Sequence, residues 1–469
     1  MTMTSLRATL LMTLPILGLS ATVDARTLQE ALAITYASNP ALQAQRALLR
    51  ATDENVPAAL AGWRPTVSIS ANAGYTDSQT IVRSAGVDRV NGGVANGGNR
   101  GTNSEQLTVN QPLYRGGATR AGTNKAENQV MSQRATLLGA EQTAFQNAVN
   151  AYVQVIQTQR TLELNVNNER VLSRQLDATN DRFRVGEITR TDVAQAEAAL
   201  AAAKAQRQTA AGNLETARSA YRQVVGELPN QLVEPQPLKL PQATMDLARD
   251  IAEQNNPTVV AALFADAAAK DNIDQQYSRL MPTLALQGSY GRTQDATAKN
   301  TTVRSNQILL VATVPIFQGG AEYAAIRQAV QQQQQSRKAL EDARRTAVQQ
   351  LTTAWQTYLA TKETIVSTRE QIRSNEIALE GVQREAIVGS RTTLDVLNAE
   401  QTLLNSRTSL VNNLAALVTA SYQIAGAAGR LTARDLSLSV PLYDETAYYK
   451  AVKNRWTGTG DYATDQPGR

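Results

Sequence analysis

The side chains best able to do chemistry in this chain are carboxylates, because its 469 residues include 41 Asp and Glu but no His and no Cys. Without histidine, the chain lacks the usual general base near neutral pH, the commonest metal ligand and the Ser-His arrangement of nucleophilic catalysis. No recognisable acid–base motif pairs the carboxylates, and no GxxxxGK(S/T) sequence offers a nucleotide site. We therefore expect neither an enzyme, such as an exported hydrolase, nor a bound cofactor or metal.

The charge pattern argues against a nucleic-acid partner. The formal net charge is only +5, and the basic residues are spread through Ala- and Gln-rich segments. A nucleic-acid surface needs Lys and Arg gathered together with aromatic residues. The lack of cysteine also rules out a disulfide framework.

The elements that must position any functional side chain occur twice. Residues 110–121 read NQPLYRGGATRA, and residues 313–324, 203 positions later, read TVPIFQGGAEYA. At the same offset, FRVG at 183–186 returns as AIVG at 386–389. A repeat of about 200 residues is too long for a solenoid unit and indicates two pseudo-equivalent halves.

Composition divides the chain into a leader, two repeats, a connection and a tail. Residues 1–25 have the pattern of a removed secretory signal; the alternative is an anchoring helix, but the apolar run is shorter than the roughly 20 residues that cross a bilayer. The remaining boundaries are a first repeat at 26–229, a proline-rich connection at 230–241, a second repeat at 242–430 and a C-terminal tail at 431–469.

Each repeat is predicted to contain a helical hairpin. Residues 117–185 and 320–388 lack proline and carry apolar residues at helical spacings. At 1.5 Å per residue each would be a rod of roughly 100 Å. Shorter helices are predicted at 191–225 and 393–425, after turns in which Gly186 and Gly389 suit a left-handed residue.

The start of each shorter helix carries a carboxylate variant of the capping box. Thr189 is followed three positions later by Asp192, and Thr392 by Asp395. A capping threonine can accept from the backbone of the third helical residue, whose side chain reaches back to the cap. Both helix starts are therefore predicted from local chemistry alone.

Before each long helix the apolar period changes to two, which predicts β-hairpins at 66–114 and 283–317. The hairpin loops are expected at 78–103 and 291–305, and the last strand is extended through Val314 and Ile316. Tyr114, Phe317 and Trp63 lie near the strand ends, either as an interfacial aromatic belt or in ordinary packing.

Four strands cannot close a barrel, because known single-chain barrels begin at about eight. Open edges in lipid would leave unpaired backbone groups at several kcal/mol each. We therefore expect other copies of the chain to complete the sheet, and a trimer would supply twelve strands. The alternative is a pair of soluble hairpins at the tip of a coiled coil.

With the motifs PLYRGG/PIFQGG, RVGEITRTDV and VGSRTTLDVLNAE in place, the chain resembles the TolC-type outer-membrane secretion and efflux channels over residues 27–430. The resemblance implies a mixed α/β membrane protein: a trimeric twelve-stranded β-barrel, four strands from each chain, continued by a long α-helical barrel in the periplasm. In that arrangement the helix turns form the periplasmic tip, where the family meets its adaptor. The candidate adaptor contacts are Arg184, Val185, Gly186, Thr189, Arg190, Val388 and Gly389. The alternative, that Gly and Thr there only shape the turns, is compatible with such contact.

The resemblance also implies a gate made of polar links between hairpins and of acidic rings at the narrowest point. Arg391 and Asp192 match the linked pair, and Asp395 matches one ring. Acidic rings repeated by symmetry favour cations; helix capping is the alternative role for both aspartates. Ala386 replaces a tyrosine of the better-known pattern, and Asn398 replaces a second ring aspartate, so a looser or differently latched gate is expected.

We interpret the chain as the passive outer-membrane exit duct of a tripartite export system for type I protein secretion, small-molecule efflux or both. Its expected partners are further copies of the chain, outer-membrane lipid, a periplasmic adaptor (membrane fusion protein) and an inner-membrane pump or ABC transporter. The alternative, a periplasmic coiled-coil adaptor or structural rod, explains the long helices but not the duplicated strands. The tail resembles that of type I secretion members, and four aromatics are candidates for a strap on the collar: Tyr443, Tyr448, Tyr449 and Trp456.

Overall fold

The computed structural model describes residues 26–78, 98–239, 244–296 and 300–460. The predicted signal at 1–25 lies outside the described residues, as do residues 79–97 of the first predicted loop and the end of the proline-rich connection. Within these ranges, no helix combines the length and the apolar character needed to cross a bilayer.

Helices make up most of the described chain, and each half contains a set of short helices followed by a long and a shorter one. The first half has α1 (Leu28–Ser38), α2 (Pro40–Asp53), α3 (Asn55–Leu60), α4 (Ala118–Arg184) and α5 (Arg190–Val225). The second half has α6 (Met245–Asn255), α7 (Pro257–Tyr277), α8 (Ala321–Ile387), α9 (Thr393–Ala427) and, in the tail, α10 (Ala447–Val452).

The two long helices, α4 and α8, are the framework of the fold. Each has 67 residues, which corresponds to roughly 100 Å at 1.5 Å per residue. Each begins after a glycine in the left-handed region, Gly117 with φ of +88° and Gly320 with φ of +85°. A residue other than glycine is strained there, so the repeated Gly-Gly pairs mark where strand gives way to helix.

Four strands form one antiparallel sheet in the order β1 (Thr66–Ser78), β2 (Gly98–Arg115), β3 (Thr283–Gln294) and β4 (Thr302–Thr313). β1 pairs with β2 from Thr66–Asn110 to Ser78–Gly98. The two hairpins, one from each half, are joined along β2 and β3, where Leu107 lies opposite Tyr290. β1 and β4 are left as the two edges of the sheet.

The strand ends differ in two respects from those predicted. The loops are shorter than 78–103 and 291–305, because polar residues such as Asn99 and Thr302 continue the backbone ladder although they break the apolar alternation. β4 ends at Thr313, before Val314 and Ile316. Pro315 has no N–H to donate to a neighbouring strand, which accounts for the early end.

The main core lies where α1 and the tail cover α4, α5 and α9. The hydroxyl oxygen of Tyr152 lies 2.8 Å from the carbonyl oxygen of Arg26 and 2.7 Å from that of Val233, so it ties the start of the described chain to the connection. The largest fully buried side chains of this core include Phe145, Tyr152, Tyr221, Leu32 and Leu431.

The repeated Asn-Pro pairs join helices end to end. In the first half, Asn39 Oδ1 accepts from Ala41 N at 3.0 Å and so caps α2, while Asn39 Nδ2 donates to the carbonyl oxygen of Val224, near the end of α5, at 3.1 Å. One buried amide therefore satisfies a donor at one helix start and an acceptor at another helix end, which otherwise lack partners.

The second half repeats this arrangement. Asn256 Oδ1 accepts from Thr258 N at 2.9 Å and caps α7, while Asn256 Nδ2 donates to Ala427 O, at the end of α9, at 3.0 Å. In both halves the proline stands at the first helical position, where no N–H is needed. We call these two junctions the Asn splices.

The tail runs along the first half towards the sheet, and all four aromatics predicted for the strap make contacts there. Its backbone and side chains are held by hydrogen bonds and by contacts of three aromatic rings with the guanidiniums of Arg46, Arg64 and Arg134. The backbone N of Tyr443 donates to the Tyr36 hydroxyl. The hydroxyls of Tyr448 and Tyr449 donate to Glu54 and Glu127, respectively. The Trp456 ring lies against the Arg64 guanidinium.

Asp53, at the end of α2, should give the stability of the fold a characteristic pH dependence. It is fully buried, and within the described chain neither carboxylate oxygen has a hydrogen-bond partner. Burial raises the pKa of Asp53 from 3.8 to about 7, with Glu54 and Glu445 adding to the rise and Arg134 opposing it. The folded state then holds a proton that the unfolded chain has lost, so the unfolding free energy falls as pH rises from about 4 to above 7.

Replacing Asp53 with Asn should flatten that decline and raise the melting temperature at pH 8 more than at pH 5. Thermal unfolding of the detergent-extracted protein at both pH values measures this. Glu197→Gln, at an exposed carboxylate of α5 that is not among the charges acting on Asp53, is the control and should leave the slope in place. An unchanged pH slope in Asp53→Asn would contradict the assignment.

The Asn splices predict an unusual response to aspartate. Aspartate is as good a helix cap as asparagine, so a residue that only caps would tolerate Asn256→Asp or Asn39→Asp. In a splice, the carboxylate would face a helix carbonyl without a proton to donate, and we expect each Asp variant to lose about 1–3 kcal/mol of stability. Denaturant unfolding measures the loss; a neutral Asp variant would show that the side chain acts only as a cap.

Candidate functional site at the helix turns

The turn between α4 and α5 closes through backbone hydrogen bonds. Gly186 has φ of +80°, Gly186 N donates to Phe183 O at 2.9 Å, and Glu187 N donates to Arg182 O at 3.0 Å. This pair of bonds is the Schellman ending, in which the residue after the cap takes the left-handed conformation that glycine tolerates best.

The turn between α8 and α9 repeats this geometry. Gly389 has φ of +81°, its N donates to Ala386 O at 3.3 Å, and Ser390 N donates to Glu385 O at 3.0 Å. Val185 and Val388, the residues before the two glycines, are each 78% exposed. Ile387, beside Val388, is 76% exposed as well. Two near-identical turns therefore present apolar side chains to their surroundings.

Both aspartates predicted for the gate cap the helices that follow. Asp192 Oδ2 accepts from Thr189 N at 3.0 Å and from Thr189 Oγ1 at 2.7 Å. Asp395 Oδ2 accepts from Thr392 N and Oγ1, both at 2.9 Å. The predicted capping boxes are confirmed, and in each case the contacts occupy one oxygen of the carboxylate.

These hydrogen bonds keep both carboxylates ionised. The side-chain and backbone bonds from Thr189 lower the pKa of Asp192 below its usual range. The backbone and side-chain bonds from Thr392 do the same for the pKa of Asp395, with a smaller contribution from the charge of Arg391. Negative charge is thus fixed at both helix starts, where the helix dipole also favours it.

Each turn also contains an ion pair, and the two pairs have opposite order. Arg182 on α4 pairs with Glu187 in the turn at 2.8 Å. At the position 203 residues after Arg182, α8 carries Glu385, which pairs with Arg391 in its turn at 2.9 Å. The hydrogen bond to Glu385 raises the pKa of Arg391.

The structure therefore assigns Arg391 a partner that the motif comparison missed. Among the described residues of one chain, the ion pair formed by Arg391 is with Glu385 and not with Asp192. When the halves are aligned at the 203-residue offset, Glu385 stands opposite Arg182. This charge reversal was the signal that could have identified Glu385.

The remaining candidates surround the turns. Arg184 pairs with Asp181 on the exposed side of α4, and Arg190 is the first residue of α5. Asn398 is exposed one turn after Asp395, and its carbonyl oxygen accepts from Thr402 Oγ1 at 2.8 Å. Ala386, by contrast, is buried.

The two helical hairpins lie side by side near the turns. Leu172 of α4, Leu200 and Ala203 of α5 and Leu397 of α9 form one buried apolar cluster. The four polar gate candidates, Asp192, Arg391, Asp395 and Asn398, thus belong to one end of the helical assembly, although they do not bond to one another within the described chain.

Comparison with known proteins gives a consistent result. The family model described as "Outer membrane efflux protein" matches residues 29–227 and 248–430. The chain is 34% identical over 438 residues to the outer membrane efflux protein BepC of Brucella suis, covering 92% of this chain and 91% of that protein. It is 27% identical over 443 residues to the outer membrane protein TolC of Escherichia coli, covering 91% and 87%.

The solved outer-membrane channel CmeC of Campylobacter jejuni has the same fold, with a TM-score of 0.76, 16% identity and coverage of 92% of this chain and 90% of that one. The findings favour the channel over the periplasmic adaptor or rod that the long helices alone had left open. Duplicated helical hairpins, a four-stranded sheet and a family match to both repeats agree: the chain belongs to the outer membrane efflux protein family.

Proposed function

We propose that this outer-membrane export channel works as a trimer and forms the exit duct of a tripartite system. The observation that carries the proposal is the sheet: four strands with two open edges and an apolar face turned outwards. Ile69 on β1 and Ile308 on β4 are 78% and 79% exposed. Such side chains are stable in lipid, but the backbone edges beside them are not.

Three copies would resolve this conflict. Twelve strands lie within the range of known barrels, whereas four do not. Pairing β4 of one copy with β1 of the next would remove every edge. The long helices of the three copies would then continue as a helical barrel into the periplasm, with outer-membrane lipid around the strands.

The turns would be the periplasmic tip and the contact with an adaptor. Val185-Gly186 and Val388-Gly389 present equivalent exposed apolar residues, and Arg184, Thr189 and Arg190 flank the first of them. Conduction through such a duct needs no catalytic group, so energy would come from an inner-membrane pump or ABC transporter behind the adaptor. Secreted proteins and small molecules are both compatible cargo.

The gate would lie at the same end. In a closed trimer, Asp395 and Asp192 would each repeat three times around the pore and concentrate negative potential, which favours cations. Arg391 would latch neighbouring hairpins, either through its own Glu385 or by exchanging it for Asp192 of an adjacent hairpin. Asn398, one helical turn further along, would leave the second ring neutral.

The trimer is tested by placing a charge on the sheet face. Ile308→Lys should lower the amount of trimer recovered from outer membranes, because a lysine facing lipid near the midplane costs about 2–4 kcal/mol. Light scattering of the detergent extract should find about three times the mass of one exported chain for the unmodified protein. Val388→Lys, at an equally exposed residue of the tip, should assemble normally; a monomeric extract of the unmodified protein would refute the proposal.

The latch is tested by removing Arg391. Arg391→Ser should raise single-channel conductance in planar bilayers, since the tip loses a charged link. Arg384→Ser removes another exposed arginine that forms an ion pair, here with Glu380 on α8, and is the matched control, expected to conduct like the unmodified channel.

Glu385→Gln separates the two forms of the latch. If the pair within one turn holds the gate, Glu385→Gln should match Arg391→Ser; if the link to an adjacent hairpin does, the conductance of Glu385→Gln should stay low. Unchanged conductance in Arg391→Ser would exclude a latch at this residue.

A further inference from the structure

A patch of basic and aromatic side chains lies at the base of the sheet, where three segments of the chain meet. Residues 61–76, 111–126 and 446–460 together contain seven Lys and Arg and no Asp or Glu. The seven are Arg64, Arg115, Arg120, Lys125, Lys450, Lys453 and Arg455. Lys453 pairs with Glu127, the residue directly after the second segment; the remaining excess is still notable in a chain whose net charge is only +5.

Direct contacts bring the centre of this patch together. The Arg64 guanidinium lies 4.9 Å from the centre of the Trp456 ring, and Arg64 Nη1 donates to the carbonyl oxygen of Arg455 at 2.7 Å. Arg115 reaches the same place: its Nη1 lies 2.9 Å from the point where a Cβ on Gly62 would stand. We call Trp63, Arg64, Arg115 and Trp456 the basic–aromatic patch.

The patch is open and not neutralised. Trp456 is 66% exposed although one face of its ring contacts Arg64, and Trp63 is 45% exposed. Within the part of the chain that the structure describes, neither Arg64 nor Arg115 lies in an ion pair. One indole and two guanidiniums therefore meet at a surface without an acidic partner among the described residues, and a second exposed indole, Trp63, precedes Arg64 in the chain.

The position of the patch relates it to the membrane. Arg64 stands two residues before β1 begins at Thr66, and Arg115 is the last residue of β2. Beyond them, β1 at once presents exposed Val67 and Ile69. In the proposed barrel, the patch thus lies at the periplasmic margin of the apolar band, at the depth of lipid headgroups.

The second repeat shows that this composition is not required by the fold. At the matching positions Leu280 and Met281 replace Trp63 and Arg64, Gln318 replaces Arg115, and Glu322 stands where the first repeat has Thr119. The contacts of the tail aromatics are also with the first half. The patch is therefore a specific addition to one repeat.

We propose that the basic–aromatic patch binds the phosphate-bearing headgroup of an anionic phospholipid in the periplasmic leaflet of the outer membrane. The two guanidiniums present planar arrays of donors that suit phosphate oxygens, and indole rings favour the membrane–water interface. The tail then fastens the helical region to the membrane on the side of the first repeat. This inference rests on the proposed barrel.

The test uses tryptophan quenching by brominated lipid, since the chain has only three tryptophans. Trp63→Phe combined with Trp355→Phe leaves Trp456 as the single reporter. In proteoliposomes that contain both phosphatidylglycerol and phosphatidylcholine, we expect stronger quenching when the phosphatidylglycerol is brominated than when an equal fraction of phosphatidylcholine is. Arg64→Gln together with Arg115→Gln should bring that ratio close to one. Arg279→Gln, at an exposed arginine at the base of the second repeat, should preserve it.

Insertion itself is checked separately. Leu310→Trp, in a chain whose native tryptophans are replaced by Phe, places a single reporter on the exposed face of β4. If this strand reporter is quenched and Trp456 is not, or if both lipids quench Trp456 equally, the headgroup site is refuted while the barrel stands. If neither reporter is quenched, the proposed barrel fails and this inference fails with it.

Discussion

The structure depends on one constraint: a backbone N–H or C=O placed in hydrocarbon must have a hydrogen-bond partner. β2 and β3 meet this requirement because each has a neighbour on both sides. β1 and β4 do not, since each has one free edge beside exposed Ile69 or Ile308. The proposed trimer would pair these edges between copies, and its twelve strands fall within the range of known barrels.

At the helix ends, side chains of the same chain supply the hydrogen-bond partners that the backbone groups need. The Asn splices use one amide to satisfy two helix termini at once, and the capped turns use a threonine and an aspartate for the same purpose. Side chains can do this at a helix because its unpaired groups are few and lie at one point. A strand edge exposes a row of groups along its whole length, which no single side chain can satisfy. Each chain therefore satisfies its own helix ends, whereas its sheet edges would be paired by other chains in the proposed trimer.

This difference also explains how much could be predicted from the sequence. Capping boxes, turn glycines and apolar periods are local, and they located the long helices and the turns to within a few residues of Gly117, Val185 and Thr189. Three features could not be predicted in this way: the pairing of β2 with β3, the acceptors of the Asn splices and the partner of Arg391. Each involves residues that are distant in the chain or that lack a motif. Glu385 carries no signal of its own; only its charge reversal relative to Arg182 does.

Duplication gives two halves the same backbone, and their side chains then make them different. At the turns, φ of the glycine and exposure of the preceding valine are almost identical, yet the helix-borne charge is positive at Arg182 and negative at Glu385. In the proposed trimer, which would form a ring of six alternating hairpins, that reversal would place opposite charges at equivalent heights on neighbours, whereas an exact repeat would place like charges there. Exposed pairs of this kind contribute at most about 1 kcal/mol each, so they would hold the proposed ring closed only weakly. A weak closure, repeated six times, is what a gate needs if an adaptor is to open it.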